Sequence, residues 1–379
     1  MWKCYQHYNS SRNGGSEGVY IGEVGPFQAA GTATFPSHSF FFAAHNDPTM
    51  KFASFTMRNG KSVHIYDPFE SGELTMDDIS ESEKYKYNMQ KRNVDFGVKY
   101  YEFTGREWLG FWPTRKAPMY NMWNADYFGQ QHWVTSKETH FLRLPPDEKM
   151  QRLDVNALQT VLRDEDPRAL EEYRSKAPLN MTMTVLSCAP RAFEIKNFLS
   201  HVEVDHIVHM ATGMKLSLST TSADASGEHR RNSDTRTSFN SWVSRSSSPI
   251  IDSIYRRAAD VMRIDEAFLR SRAKSERSDV DNLGSNSEDL QLVHYGVGQR
   301  YTAHHDFGYS KIQEKGQPTR FATLLLYLNE GMTGGETSFP RWLNAKDRKP
   351  LTVIPEIGKA VLFYDLLPDG NPDDLSQRK

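Results

Sequence analysis

Cysteine is almost absent from this chain of 379 residues: with only Cys4 and Cys188 present, no disulfide framework can staple it, and at most one bridge can form. Long apolar runs are missing too. None approaches the ~18 residues that a membrane-spanning helix needs, and the opening MWKCYQHYNSSRNGG lacks the apolar core of a signal peptide. No charge of one sign prevails. Lys and Arg number 46 against 48 Asp and Glu, so no global field of the chain recruits nucleic acid or acidic lipid. No internal repeat is found. Asn9-Ser10-Ser11 and Asn180-Met181-Thr182 fit the glycosylation tripeptide, which is too common to fix a compartment. What the chain does have is aromatic side chains, with 7 Trp, 17 Tyr and 21 Phe, which indicates packed, strand-rich domains rather than disorder. The length accommodates two domains of ordinary size.

Residues 1–150 read as a β-rich, sandwich-like domain of unknown function. Gly18 to Phe42 and Lys51 to Tyr66 carry short apolar and β-branched runs punctuated by Gly and Pro. Arg58-Asn59-Gly60-Lys61 is expected as a hairpin turn, because Asn-Gly tolerates positive φ at both central positions. Asp67 to Asp95 is charged and weakly periodic, a long loop or a solvated helix. His132 to Leu144 reads as a closing strand, and the aromatics of Trp108 to Trp133 as core. The run YIGEVGPF…GTATFPSHSFFF resembles, over a few dozen residues and with no chemical motif, the β-domain of the von Hippel–Lindau family. Residues 151–180 form a helical linker, with Val155, Leu158, Val161 and Leu162 on one face and Asp166-Pro167 as a helix start. Residues 181–379 form the second domain. A strand over Arg191 to Asn197 leads to a helix from about Val202 to Gly213, capped by Ser200, with Val204, Ile207 and Val208 inward. A second helix runs from Pro249 to Val261, with Ile250, Ile254 and Ala258 on one face. Thr220 to Asp234 is expected to be a mobile loop and Arg270 to Asn286 a disordered insertion.

The chemistry concentrates in LVHYGVGQRYTAHHDF, Leu292 to Phe307. Read as a strand, with a side-chain period of two, this stretch sends His304 and Asp306 to one face and His305 to the other. An imidazole beside a carboxylate is two thirds of a 2-His-1-carboxylate site for non-haem Fe(II).

From about Pro190 to the end, five pieces stand in order: PRAFEIKNFLS, Arg236-Thr237-Ser238, YGVGQRYTAHHD, TLLLYLNEGMTGGETSFP and PEIGKAVLFYDLLPDGNPDD. In this order and spacing they resemble the prolyl 4-hydroxylase group of Fe(II)- and 2-oxoglutarate-dependent dioxygenases. The resemblance implies a mostly β domain with flanking helices, a double-stranded β-helix of the jelly-roll or cupin type. It implies hydroxylation of a proline-containing peptide or protein, with Fe(II), O2 and 2-oxoglutarate as reactants and ascorbate as reductant. It makes His304 and Asp306 metal ligands. Tyr295 and Thr323 match positions that bind the distal carboxylate of 2-oxoglutarate, Tyr301 a residue facing the peptide, and Arg236 a substrate-loop motif. By analogy alone it suggests the endoplasmic reticulum.

One feature departs from the pattern. No histidine occurs after His305, and Arg378 fills the slot of the third ligand, where a guanidinium cannot act as an imidazole does. The domain therefore reads as incomplete at its C-terminus, a misjoined or shortened version of an enzyme. The competing expectation is a degenerate relative that acts as a peptide- or protein-binding module, with a further protein partner engaged through the N-terminal domain.

Overall fold

The computed structural model describes residues 2–7, 18–25, 27, 37–110 (46, 48, 59, 60 and 62 excepted), 112, 120–137, 140, 179–219, 236–270, 285–307, 320–344 and 349–379. The expected linker helix before residue 177 and the expected loop over 220–234 lie outside these residues, as does most of the insertion after Arg270.

Strands β1 (Trp2–His7), β2 (Gly18–Val24), β3 (Ser39–Ala44) and β4 (Lys51–Thr56) form one antiparallel sheet in the order β2-β1-β3-β4. Phe40 stacks on its cross-strand partner Phe55 with centroids 5.7 Å apart, and His64 stacks on Phe55 at 4.5 Å. Arg58 and Lys61 pair across the expected turn, whose central residues lie outside the described ones.

The N-terminal block is not a sandwich among the described residues. The charged run forms a helix instead, α1 (Glu81–Thr104). Its start is chemically specified: the Ser80 hydroxyl accepts from the Glu83 amide, and the Glu83 carboxylate takes the Ser80 amide at 2.9 Å. Gly105, in the left-handed conformation at φ 71°, ends it. Only Tyr87 of this helix is fully buried, which explains why its apolar periodicity is so weak.

The C-terminal part is built on five antiparallel strands, β5 (Gln131–Ser136), β6 (Leu179–Cys188), β7 (Arg191–Ile195), β11 (Ala322–Leu326) and β14 (Ala360–Tyr364), ordered β11-β14-β7-β6-β5. A second sheet runs β10 (Leu290–His294), β9 (Phe239–Val243), β8 (Ser217–Leu218), and β12 (Thr337–Phe339) pairs with β13 (Leu351–Val353). Strand β5 corrects the expected boundary at residue 150. It does not close the first domain; it is the edge strand of the second domain's sheet, bonded to β6 from Gln131↔Thr184 to Ser136↔Leu179. Trp123 belongs with it: its indole N–H donates to the Val261 carbonyl at 2.7 Å, inside the core of the C-terminal part.

At β14 the sheet is covered on both faces, which is why that strand reads as an unbroken apolar run. Ala360, Leu362 and Tyr364 face a large core shared with α2 (His201–Thr212) and α3 (Pro249–Met262). Val361 and Phe363 face the opposite way, toward a smaller cluster with Ala192, Tyr327, Phe339 and Val353. The same alternation along β11 turns Leu324 and Leu326 to the large core and Thr323 with Leu325 to the small one.

Both expected helices are present, and Ser200 and Ser248 cap them through bonds from the Glu203 and Ile251 amides. One inward assignment fails: Val208 is 44% exposed. The buried face of α2 is rotated because Glu203 is drawn fully inside by Arg257, whose Nη1 donates to Glu203 Oε2 at 2.9 Å.

Gly358 joins the two layers. Its carbonyl accepts from Leu199 N at 2.9 Å, its φ is +76°, and a Cβ there would stand 2.5 Å from the Leu199 carbonyl oxygen. Gly358→Ala should therefore lower unfolding stability by about 2–3 kcal/mol, strain and clash acting together. Urea melts of the two chains measure this; a loss below about 0.5 kcal/mol would contradict the packing described.

Candidate active site

The small-core face of the sheet carries the titratable cluster. Here the single-strand reading of Leu292 to Phe307 needs correction. Strand β10 stops at His294, because Gly298 at φ 77° and the bond from Gln299 N to Gly296 O make a turn. The chain then resumes extended and pairs only at isolated points, Tyr301↔Arg236 and His304↔Arg378. Extended backbone still alternates its side chains, so His304 and Asp306 emerge together, with Nε2 3.4 Å from Oδ1. His305 leaves on the other side, where its Nε2 meets the Asp374 carbonyl at 3.0 Å and its ring packs on Phe307.

His304 has a defined tautomer. Its Nδ1 lies 2.8 Å from the Thr302 carbonyl oxygen, an acceptor only, so Nδ1 carries the proton. That leaves a lone pair on Nε2, which is buried with no hydrogen-bond partner and aimed beside Asp306. Burial depresses the pKa of His304 against the opposing pull of Asp306, which keeps the ring neutral.

Asp306 is 2% exposed at its side chain. Its Oδ2 accepts from Thr323 Oγ1 at 2.9 Å and from Arg378 Nε at 2.9 Å, while Arg320 Nη1 stands 3.9 Å from Oδ1. Burial works against ionisation here, but the charge of Arg378 outweighs it and holds the carboxyl well below the ordinary carboxylate range.

Asp365 behaves oppositely. It is fully buried, and burial, reinforced by the charge of Asp306, raises its pKa well above the usual value. Thr323 Oγ1 lies 3.1 Å from Asp365 Oδ2 as well as 2.9 Å from Asp306 Oδ2. A hydroxyl has one proton to give. A protonated Asp365 satisfies both contacts by donating to Thr323, which donates onward to Asp306. Sequence reading missed Asp365, yet the signal was in the alternation: it follows Val361 and Phe363 on the site-facing side of β14.

The other expected residues divide. Tyr301 stacks on the His304 ring at 3.5 Å and 15°, and the Arg236 guanidinium, 8% exposed, lies 4.6 Å from the Tyr301 centroid. Tyr295 is 45% exposed, and no hydrogen bond joins it to Thr323 or Asp306. Arg320, which sequence reading also missed, is held by both oxygens of Glu288 at 2.5 and 2.7 Å.

The segment that carries Arg378 is held from the N-terminal side. Tyr100 of α1 donates to Asp369 Oδ2 at 2.7 Å, and Asn371, 1% exposed, clamps the chain after α1, accepting from Leu109 N at 2.7 Å and donating to Glu107 O at 2.8 Å. Arg378 then exchanges both backbone bonds with His304, at 2.8 and 2.9 Å, and Lys379 does the same with Ser338.

Comparison with known proteins agrees with this framework. The model of the 2OG-Fe(II) oxygenase superfamily matches residues 290–368. Probable prolyl 4-hydroxylase 3 of Arabidopsis thaliana is 31% identical over 204 residues, which cover 51% of this chain and 64% of that protein. Prolyl 4-hydroxylase 2 of the same plant is 33% identical over 205 residues, covering 50% and 62%. Viral collagen prolyl hydroxylase from Paramecium bursaria Chlorella virus-1 is 21% identical over 49% of this chain and 85% of that one, with a TM-score of 0.34, too low to bear on the argument. Residues 290–368 thus match the 2OG-Fe(II) oxygenase superfamily model, and about half of the chain is similar to these plant prolyl 4-hydroxylases. It spans a little under two thirds of the length of these plant relatives.

The donor set tests the metal that this family implies. Two lone-pair donors, His304 Nε2 and Asp306 Oδ1, converge. The residue across the backbone bridge from His304 is a permanent cation, and among the described residues no third histidine, cysteine or carboxylate joins the pair. The residues present do not fit a three-ligand Fe(II) site.

The protonated Asp365 predicts a pH signature. Above its ordinary pKa near 3.8 the unfolded chain releases a proton that the folded chain keeps, so wild-type stability loses ground as pH rises. Asp365→Asn keeps a donor and has no proton to lose. Its stability relative to wild type should improve upward from about pH 4, by up to about 1.4 kcal/mol per pH unit. Urea melts between pH 4 and 7 measure the gap; a gap that is flat or closes would show Asp365 to be ionised in the fold.

Proposed function

We propose that the C-terminal half is built for 4-hydroxylation of peptidyl proline on a double-stranded β-helix frame, the Fe(II)- and 2-oxoglutarate-dependent reaction that uses O2 and releases succinate and CO2, with ascorbate as reductant. The names of the plant relatives and the superfamily match support the reaction class. The observation that carries the reading to this site is the buried convergence of His304 Nε2 and Asp306 Oδ1. In this reading Thr323, already bonded to Asp306, and Tyr295 hold the 2-oxoglutarate carboxylate, and Tyr301 with Arg236 faces a proline-containing segment. The chain's own residues orient the reactants; the hard oxidative step belongs to the cofactor chemistry.

With Arg378 on Asp306, turnover by this chain is expected to be weak. That same ion pair favours a second reading, a peptide-binding module without turnover that engages a further partner through its N-terminal sheet. Succinate release from 2-oxoglutarate with Fe(II), ascorbate and a proline-rich peptide separates the two. Arg378→His should raise the rate at least ~100-fold, about 2.7 kcal/mol in the barrier. Robust turnover by the unchanged chain would refute the need for a third imidazole. Inactivity of a folded, iron-loaded Arg378→His chain across varied proline peptides would favour the binding module.

A further inference from the structure

The misfit between this donor set and its family can be carried further, because Arg378 does more than leave a ligand out. Its backbone is fixed on both sides: it exchanges two hydrogen bonds with His304, and the next residue exchanges two with Ser338. Residue 378 therefore cannot move away from the cluster without breaking sheet-like pairing. Its guanidinium lies over Phe363 at 5.7 Å and donates to Asp306 Oδ2 at 2.9 Å, where Thr323 donates as well. On the other oxygen, Oδ1, Arg320 Nη1 approaches to 3.9 Å. Asp306 is thus enclosed by one hydroxyl donor, one bonded guanidinium and a second guanidinium nearby.

We propose that Arg378 is a resident cation: it compensates Asp306 in the place where the family holds its metal, so this chain builds the site without a divalent ion and excludes one. The proposal rests on reading His304 and Asp306 as the family's ligand pair. Two facts of chemistry support it. A buried carboxylate requires a counter-charge, and here a covalently attached one is already bonded to it. A divalent ion beside His304 Nε2 and Asp306 Oδ1 would also share that carboxylate with two guanidinium groups of its own sign.

Co(II) is the probe, followed by its visible absorption and by thermal melting of the full-length chain. The wild-type chain should show no saturable Co(II) spectrum and no rise in Tm at millimolar Co(II). Arg378→His should bind one Co(II) at least 100-fold more tightly, with a rise in Tm, and adding Asp306→Asn should abolish that binding. Arg378→Met removes the cation and supplies only a soft thioether, a poor ligand for Co(II). Without metal it should melt lower by roughly 5 °C or more, and Co(II) should restore part of the loss. Micromolar Co(II) binding by the wild-type chain that His304→Ala removes would overturn the proposal, and so would an Arg378→Met chain as stable as wild type without metal. Those two measurements stand even if Arg378→His fails to fold. The outcomes also separate this proposal from the functional reading. Wild-type Co(II) binding sinks the resident cation and leaves the reaction class standing. Tight Co(II) binding by Arg378→His, with no succinate release after Fe(II) loading, sinks the reaction and leaves the resident cation.

Discussion

A carboxylate with 2% of its side chain exposed cannot stand ionised without a counter-charge, and the C-terminal half of this protein is arranged around that constraint at Asp306. Thr323 reaches it because β11 alternates, sending the hydroxyl to the small-core face and the neighbouring leucines to the large core. Arg378 reaches it because its backbone is paired to His304. Asp365, a few ångströms further on, cannot also be charged, and stays protonated under burial and the field of Asp306. Three neighbouring groups thus adopt one mutually consistent protonation pattern: a neutral imidazole, an ionised carboxylate and a neutral carboxylic acid.

The contacts that connect this cluster to α1 and the residues just after it are specific. Asn371 has donor and acceptor on one amide, and it uses both on the backbone just after α1, at Glu107 and Leu109. Tyr100 adds a bond to Asp369. The residues after α1 therefore brace the segment that leads to Arg378, and the edge strand β5 and Trp123 lie within the C-terminal core. Much of what composition assigned to a separate N-terminal domain serves the second one.

Legibility in the sequence followed the range of the forces involved. Local chemistry was readable: Ser200 as a cap, a helix opening at Pro249, and the shared side of His304 and Asp306 with His305 opposite. The ordered pieces from Pro190 onward were also readable as a family pattern, which the superfamily match and the plant relatives support. Long-range pairing was not readable. Nothing in Gln131–Ser136 announces that its partner is Leu179–Cys188, across a long intervening stretch. Val208 fits an apolar face on paper, and only the buried Arg257–Glu203 pair shows why that face is rotated. Arg378 was visible as the wrong residue for a ligand, but its bond to Asp306 required three-dimensional placement.

The central claim is that Arg378 and Asp306 satisfy each other, and a double-mutant cycle on stability tests it most directly. Asp306→Asn and Arg378→Met, each alone and metal-free, should cost about 3–5 kcal/mol, because each leaves the partner charge buried and unpaired. The double variant should cost less than the sum by about 2–3 kcal/mol. Urea melts of the four chains give the number. Additivity within about 0.5 kcal/mol would mean the two groups do not depend on each other, and the account of this site would be wrong.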